Sequence, residues 1–387
     1  MRTLLRLASA TGLALSLFAS VAFAQHYQRT NLVSSEMGGP SATDSDLINA
    51  WGMSRSPGSP WWVSDNGKGL STLYLGDGTK QGLIVTIPAR AAGKQGTPTG
   101  TIYNGSTTDF LLAAGKPAVF LFATLDGTIS GWNPAVGLAM GAMPPSTHAV
   151  IAGRGKAGSV YTGLTSAFVN GKQYLYAANF SKGTVDVYDS AFHAVAFTVG
   201  QYEDKPFTDD LLPPEYVPFN VQAIGNDIVV TYALHQAGSP VETDGPGLGY
   251  VDVYSSTGRL RLHLEHGDWL NAPWGVALAP LDFGRFSHDL LIGQFAGGGT
   301  TASSGWIAAY DLVTGHFEGL LENAAGRPVT INGIWALSPG NSAPGNYDAA
   351  SSPASEVYFT AGPKGGSEGQ FGYLTALPAE LIQGNDQ

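Results

Sequence analysis

The sequence predicts an all-β fold, a six-bladed β-propeller, and three observations carry that prediction. A unit of three to four short strands returns six times along the 387 residues, no helix interrupts it, and 52 Gly with 23 Pro supply the tight turns such a ring needs. Charged residues are 13% of the chain, about half the usual share, which suits buried strands better than solvated helices.

The first strand of each unit opens with Asn, Pro, Trp or Gly, and the second is rich in Val, Tyr, Leu or Phe. The third reads like Thr184-Val185-Asp186-Val187-Tyr188, whose alternating valines mark a half-buried strand. Blade one spans 49–53, 60–66, 71–75 and 83–87. Blade two spans 97–102, 118–123 and 127–132. Blade three opens at Tyr161 and continues through 174–179 and 183–189. Blade four takes 217–222, 228–232 and 250–254, blade five opens at 271–277, and blade six takes 331–337, 357–360 and 371–374. Asp77-Gly78, Asp126-Gly127, Asn170-Gly171, Thr257-Gly258 and Thr314-Gly315 fall where hairpins turn. The remaining length goes into Gly- and Pro-rich loops near 90–96, 134–158, 201–216, 236–247, 297–305 and 339–355.

Blade six lacks a strand, and 27–34 precedes blade one with no blade of its own. That segment is expected to pair onto blade six and close the ring, which removes the open sheet edge. Residues 377–387 read as a frayed tail. A split near 155 into two sandwiches is disfavoured, because the repeat continues across that point.

Residues 1–24 read as an export signal. Arg2 and Arg6 precede a short apolar core at 13–19, and Ala22-Phe23-Ala24 is a small-residue cleavage site, so the mature chain is expected to start at Gln25 as a single propeller domain, 25–387. The expected location is periplasmic or extracellular. No later apolar run is long enough to span a membrane. The absence of Cys removes thiol catalysis and thiolate metal sites. A net charge of −11 without a basic cluster argues against nucleic-acid partners. A monomer is expected.

In an antiparallel blade, the start of the innermost strand and the end of the second strand lie on the same face. The strand starts carry Asn49, Thr97, Tyr161, Asn220, Asn271 and Asn332. The second-strand ends carry Asp65 with Asn66, Thr124 with Asp126, Asn179, His235, Gln294 and Gly362. Two readings stand side by side. Asn at a strand start caps it and bonds loop backbone. Alternatively Asn49, Asp65, Asn66, Asp126, Asn179, Asn220, His235, Asn271, Gln294 and Asn332 converge on one ligand, with Asn49, Asp65, Asn220 and Asn271 the oxygen donors for a Ca²⁺ ion. Trp51, Trp274 and Trp335 recur at equivalent places and read as packing between blades. His263-Leu264-Glu265-His266 has the wrong spacing for a zinc helix, and His263 with Glu265 reads as a solvated strand face.

Asn271-Ala272-Pro273-Trp274-Gly275, Tyr176-Ala177-Ala178-Asn179-Phe180 with Gly183-Thr184-Val185-Asp186-Val187-Tyr188-Asp189, and Gly247-Leu248-Gly249-Tyr250-Val251-Asp252-Val253-Tyr254 resemble an uncharacterised family of exported bacterial β-propellers, related in pattern to NHL-repeat proteins. The resemblance covers nearly the whole mature chain and implies six blades, but it brings no activity. More distant six-bladed relatives include Ca²⁺-dependent lactonases, whose metal site needs a Glu near the chain start. Here Glu36, Asp44 and Asp46 are the early acidic residues. The preferred expectation is a binding propeller that uses its channel face to hold a small molecule or a protein partner. The alternatives are a metal-assisted hydrolase with Asp65, Asp126 or His235 as general base, and a structural envelope protein whose channel is plugged by apolar side chains.

Overall fold

The computed structural model describes residues 25–38, 41–198, 205–296, 304–340 and 355–377. The expected export signal, and all but the first residue of the expected tail, lie outside them. Six antiparallel sheets form the blades, and the strands of each run in order from the axis outward. Blade one is Ala50–Ser54, Trp61–Asp65, Leu70–Tyr74 and Val85–Thr86. Blade two is Pro98–Tyr103, Phe120–Thr124, Thr128–Trp132 and Val150–Arg154. Blade three is Tyr161–Val169, Lys172–Asn179, Thr184–Tyr188 and Ala194–Val195. Blade four is Tyr216–Ile224, Asp227–Leu234, Tyr250–Ser255 and Leu260–His263. Blade five is Pro273–Leu278, Leu290–Gln294, Ile307–Tyr310 and Phe317–Leu320. Blade six is Ile334–Pro339, Val357–Ala361 and Gln370–Ala376, completed by Tyr27–Ser34. The expected closure is therefore present, with Tyr27 opposite Ala376 and Ser34 opposite Gln370.

The structure adds strands that the sequence left in loops. Val150–Arg154, inside the stretch read as an excursion, is the fourth strand of blade two, and Leu111–Ala113 pairs with Lys116–Pro117 in a side hairpin. Ala42–Thr43 lies parallel to Tyr27–Ser34 at the outer edge of the seam.

Each innermost strand is irregular at the same level. The pairing slips between Ala50 and Met53, next to Thr124 opposite Pro98, and at Tyr161/Gly163, Pro218/Asn220, Pro273/Gly275 and Ile334/Leu337. A bulge turns side chains away from the strict alternation of a strand. In five blades it coincides with an aromatic or Thr followed by a small residue, Trp51-Gly52, Thr99-Gly100, Thr162-Gly163, Trp274-Gly275 and Trp335-Ala336, and in blade four with Phe219-Asn220. The glycines let neighbouring blades touch backbone to backbone. A Cβ on Gly52 would stand 2.4 Å from the Thr99 carbonyl, and one on Gly100 would stand 2.3 Å from the Leu164 amide nitrogen. The cores between blades are aliphatic and aromatic and almost fully dry, with Leu121, Val230, Ile292 and Phe359 all completely buried.

Candidate functional site

The inner strands begin on what we term the leading face and end on the trailing face. At the leading end the channel is filled. Trp51 and Trp335 stack at 3.6 Å between ring centroids, Trp335 stacks on Phe295 at 3.7 Å, and Trp274 meets both indoles edge-on at 6.4 and 5.7 Å. Phe219 and Phe180 extend the cluster toward His235. The recurrence of Trp in the sequence is thus packing, as expected, but the packing converges on the axis itself.

The sequence-predicted residues surround this plug, and most of their polar atoms are spent on joining strands, loops and blades. Asn49 Oδ1 accepts the Trp335 indole N–H at 2.8 Å, and its amide donates to Asn66 Oδ1 at 3.2 Å. Asn66 in turn donates to the Pro98 carbonyl at 3.1 Å, so one chain of bonds runs from blade six through blade one to blade two. Asn220 lies within its strand rather than at the start, and donates to the Trp274 carbonyl of blade five at 2.7 Å. Asn271 accepts from the Gly245 amide at 2.8 Å and donates its own backbone N–H to Gln294 Oε1 at 2.9 Å. Asn179 donates to Ser159 and to Asp186. Asp126 accepts from the Thr124 hydroxyl at 2.5 Å and from the Arg90 amide, and His235 Nε2 meets the Ser239 carbonyl at 2.9 Å. Asn332 is exposed. The structure brings Asn49 together with Asn66 and Asn271 together with Gln294, and holds Asp126 and His235 each in its own loop and Asn179 at the end of its strand.

This arrangement bears directly on Ca²⁺. The ion needs about six to eight oxygens converging at about 2.3–2.6 Å. Asn49, Asn220 and Asn271 give their side chains to an indole, a carbonyl and a loop amide. Asp65 is fully buried inside blade one with Oδ2 accepting the Thr72 amide at 2.9 Å. Burial pushes its carboxyl well above the usual range. Glu36 is exposed and paired with Lys364, while Asp44 accepts from Tyr74 and Lys80. The donor set does not fit a shared ion.

Two clusters were not foreseen. Glu242 and Asp244 follow His235 in the leading-face loop of blade four, and burial pushes them up to about 7 and about 6. No local motif marks them. The second cluster corrects the reading of His263 as solvated. Its Nε2 lies 2.8 Å from Asp209 and its Nδ1 lies 2.8 Å from Asp252, both carboxylates being buried. Asp252 also accepts from the Tyr254 hydroxyl at 3.1 Å. Among the described residues this is the group of three His, Asp or Glu side chains whose ligand atoms lie within 4.8 Å of one another. The carboxylates sit on opposite edges of one imidazole ring, so they suit a doubly donating imidazolium better than a single ion. The Asp252–His263 pairing across the strands is the signal that sequence reading missed.

The open part of the channel is at the other end. A cavity of about 410 Å³ lies at the trailing mouth, lined by the last residues of five inner strands, among them Ser54, Arg55, Thr101, Gln222, Val276 and Ser338. A narrow void of about 20 Å³, touched by the inner strands of all six blades, separates it from Trp274. Arg55 is the one Lys or Arg in the lining, and its guanidinium lies 4.7 Å from the Trp61 ring centroid.

No family model matches the chain. Two uncharacterized proteins of Acanthamoeba polyphaga mimivirus are each 28% identical to it, one over 85% of this chain and 75% of the relative, the other over 82% and 77%. Among solved structures, a protein of unknown function from Bacteroides thetaiotaomicron superposes with a TM-score of 0.50 at 10% identity, covering 90% of this chain and 76% of that one. A PQQ-bound aldose sugar dehydrogenase from Streptomyces coelicolor gives 0.48 at 13% identity, covering 91% and 98%. A calcium-binding regucalcin from Agrobacterium tumefaciens gives 0.47 at 10% identity, covering 86% and 91%. At these identities the first likeness concerns the fold alone, and the two lower ones add nothing to it.

Proposed function

We propose that this chain is a binding propeller that takes a small organic acid at the trailing mouth of its central channel. One observation carries the reading: the axial cavity is open where the inner strands end and closed by indoles where they begin. A pocket of about 300–1,000 Å³ with few convergent polar groups is the usual form of a small-molecule site. Its lining pairs aliphatic walls with Ser54, Gln222, Ser338 and a single cation, Arg55, in a chain of net charge −11. A guanidinium offers a forked donor that matches a carboxylate. The plug supports the structural alternative only for the leading half of the channel. Residues 1–24 are proposed as an export signal on the charge, apolar core and cleavage site in the sequence; mass spectrometry of the secreted protein should find Gln25 first.

The test is calorimetry and thermal shift of the purified protein against small mono- and dicarboxylic acids, with the matching amides as controls. Acids should bind and raise the melting temperature, and Arg55→Gln should weaken them about tenfold, the scale of one charge-assisted bond. Chelation should leave the melting temperature unchanged. Failure of every acid, or equal binding by Arg55→Gln, would overturn the proposal.

A further inference from the structure

A second recess lies away from the axis, on the leading side between blades four and five. It is a trough of about 580 Å³ walled by Trp269, Trp306 and Phe317, with Asp268 and Glu322 at its polar rim. Trp269 is fixed in place. It stacks on Phe317 at 3.9 Å, nearly parallel, and its indole N–H donates to the Tyr310 hydroxyl at 2.6 Å. Neither Asp268 nor Glu322 has a side-chain hydrogen bond or ion pair among the described residues. Trp306 and Trp269 are only partly buried, whereas the indoles of the channel plug are closed off from solvent.

The chemistry of the lining defines the ligand. No Lys, Arg or His contributes to the trough, so it offers nothing to an anion. Its charged groups are acceptors, so the ligand must bring the donors. Its walls are aromatic, so the ligand must also bring C–H surface to lie on rings. Neutral sugars meet both demands, with hydroxyls for the carboxylates and ring C–H faces for the indoles. A methylated ammonium would meet them too, but such a group is held by ring faces closing around one small head. This trough is open, and its volume falls among ordinary ligand pockets of about 300–1,000 Å³. We propose that the trough binds a short neutral oligosaccharide, independently of the axial cavity.

The test uses the full chain, read by tryptophan fluorescence and by calorimetry, with neutral gluco-, xylo- and manno-oligosaccharides as probes and choline as the ammonium probe. At least one oligosaccharide should bind at millimolar concentration or below and perturb the fluorescence. Asp268→Asn with Glu322→Gln should weaken it about tenfold, the equivalent of one or two lost hydrogen bonds, at an unchanged melting temperature. Trp306→Ala should weaken it further, and Arg55→Gln should leave it intact. The proposal is overturned if no oligosaccharide binds, if choline alone binds, or if binding survives both the double carboxylate variant and Trp306→Ala.

Discussion

Asn220 shows what a buried amide does in this ring. Its side chain donates to the Trp274 carbonyl in the next blade, and its own N–H donates to the Thr231 hydroxyl at 3.0 Å. Its Oδ1 occupies the space beside Gly163, where a Cβ would come within 2.1 Å of it. Asn220 is 2% exposed, so water cannot take over these bonds. Asn220→Ala therefore leaves a buried carbonyl unpaired and should cost about 1–3 kcal/mol. Asn332 is exposed, and Asn332→Ala should fall within about 0.5 kcal/mol of the parent. Urea unfolding of the two variants checks this. Equal midpoints would mean that the blade-to-blade bond contributes nothing. Sequence alone recognised the amide positions because Asn at a strand start is a local signal. It could not say whether an amide turns toward a ligand or toward the next blade, since that depends on neighbours outside the local pattern, Trp274 in the case of Asn220.

At the level of strands, legibility followed locality. Alternation and Asp-Gly or Thr-Gly turns place the inner three strands of every blade but the fifth, where they mark the first strand alone, and Tyr27–Ser34 goes to the seam because blade six lacks a strand. The fourth strands were harder. Ala194–Val195 is only two residues long, and Val150–Arg154 is mostly half-buried, so neither shows a clear period. His263 ends such an outer strand, and alternation made it look solvated. Its partners are Asp252, opposite it on the next strand, and Asp209, in the loop before blade four. Both ring nitrogens can donate at once only as imidazolium. The hydrogen bond that its Nδ1–H donates to Asp252 raises its pKa, and burial opposes the rise only in part. A group whose folded pKa is raised contributes fully below its unfolded value, about 6.5 for His, and loses that contribution as pH climbs through the folded one. Asp252, raised by burial, acts with the same sign from its lower starting value. The protein should therefore be less stable at pH 9 than at pH 6. His263→Gln should lower the urea midpoint at pH 6 and flatten the profile between the two. An unchanged slope in the variant would show that the clamp does not titrate there.

For the whole molecule, a ring of wedges is only as sound as its seam. Five blades are built from consecutive strands, and the sixth borrows Tyr27–Ser34 from the far end of the chain. That strand is anchored on both sides. Tyr27 packs against Phe283 and Phe286 of blade five and donates its hydroxyl to the Phe283 carbonyl at 3.0 Å. Arg29 donates to Gln370 and to the Thr330 carbonyl, at 2.6 and 2.7 Å. No helix among the described residues is long and apolar enough to cross a membrane. Because the chain has no Cys, the seam can be read with an introduced pair free of competing thiols. Thr30 faces Tyr373 in the observed register. Directly opposed residues have Cβ atoms about 4.5–5.5 Å apart, close enough for a disulfide after small adjustment. Thr30→Cys with Tyr373→Cys should oxidise within one molecule and change its mobility on a non-reducing gel. Arg29→Cys with Tyr373→Cys places the thiols on opposite faces of the sheet and should stay reduced. A slip of one residue would exchange the two results, because it turns every side chain of the strand over. Cross-links between molecules, in place of an internal one, would mean that the strand closes a neighbour's ring instead of its own.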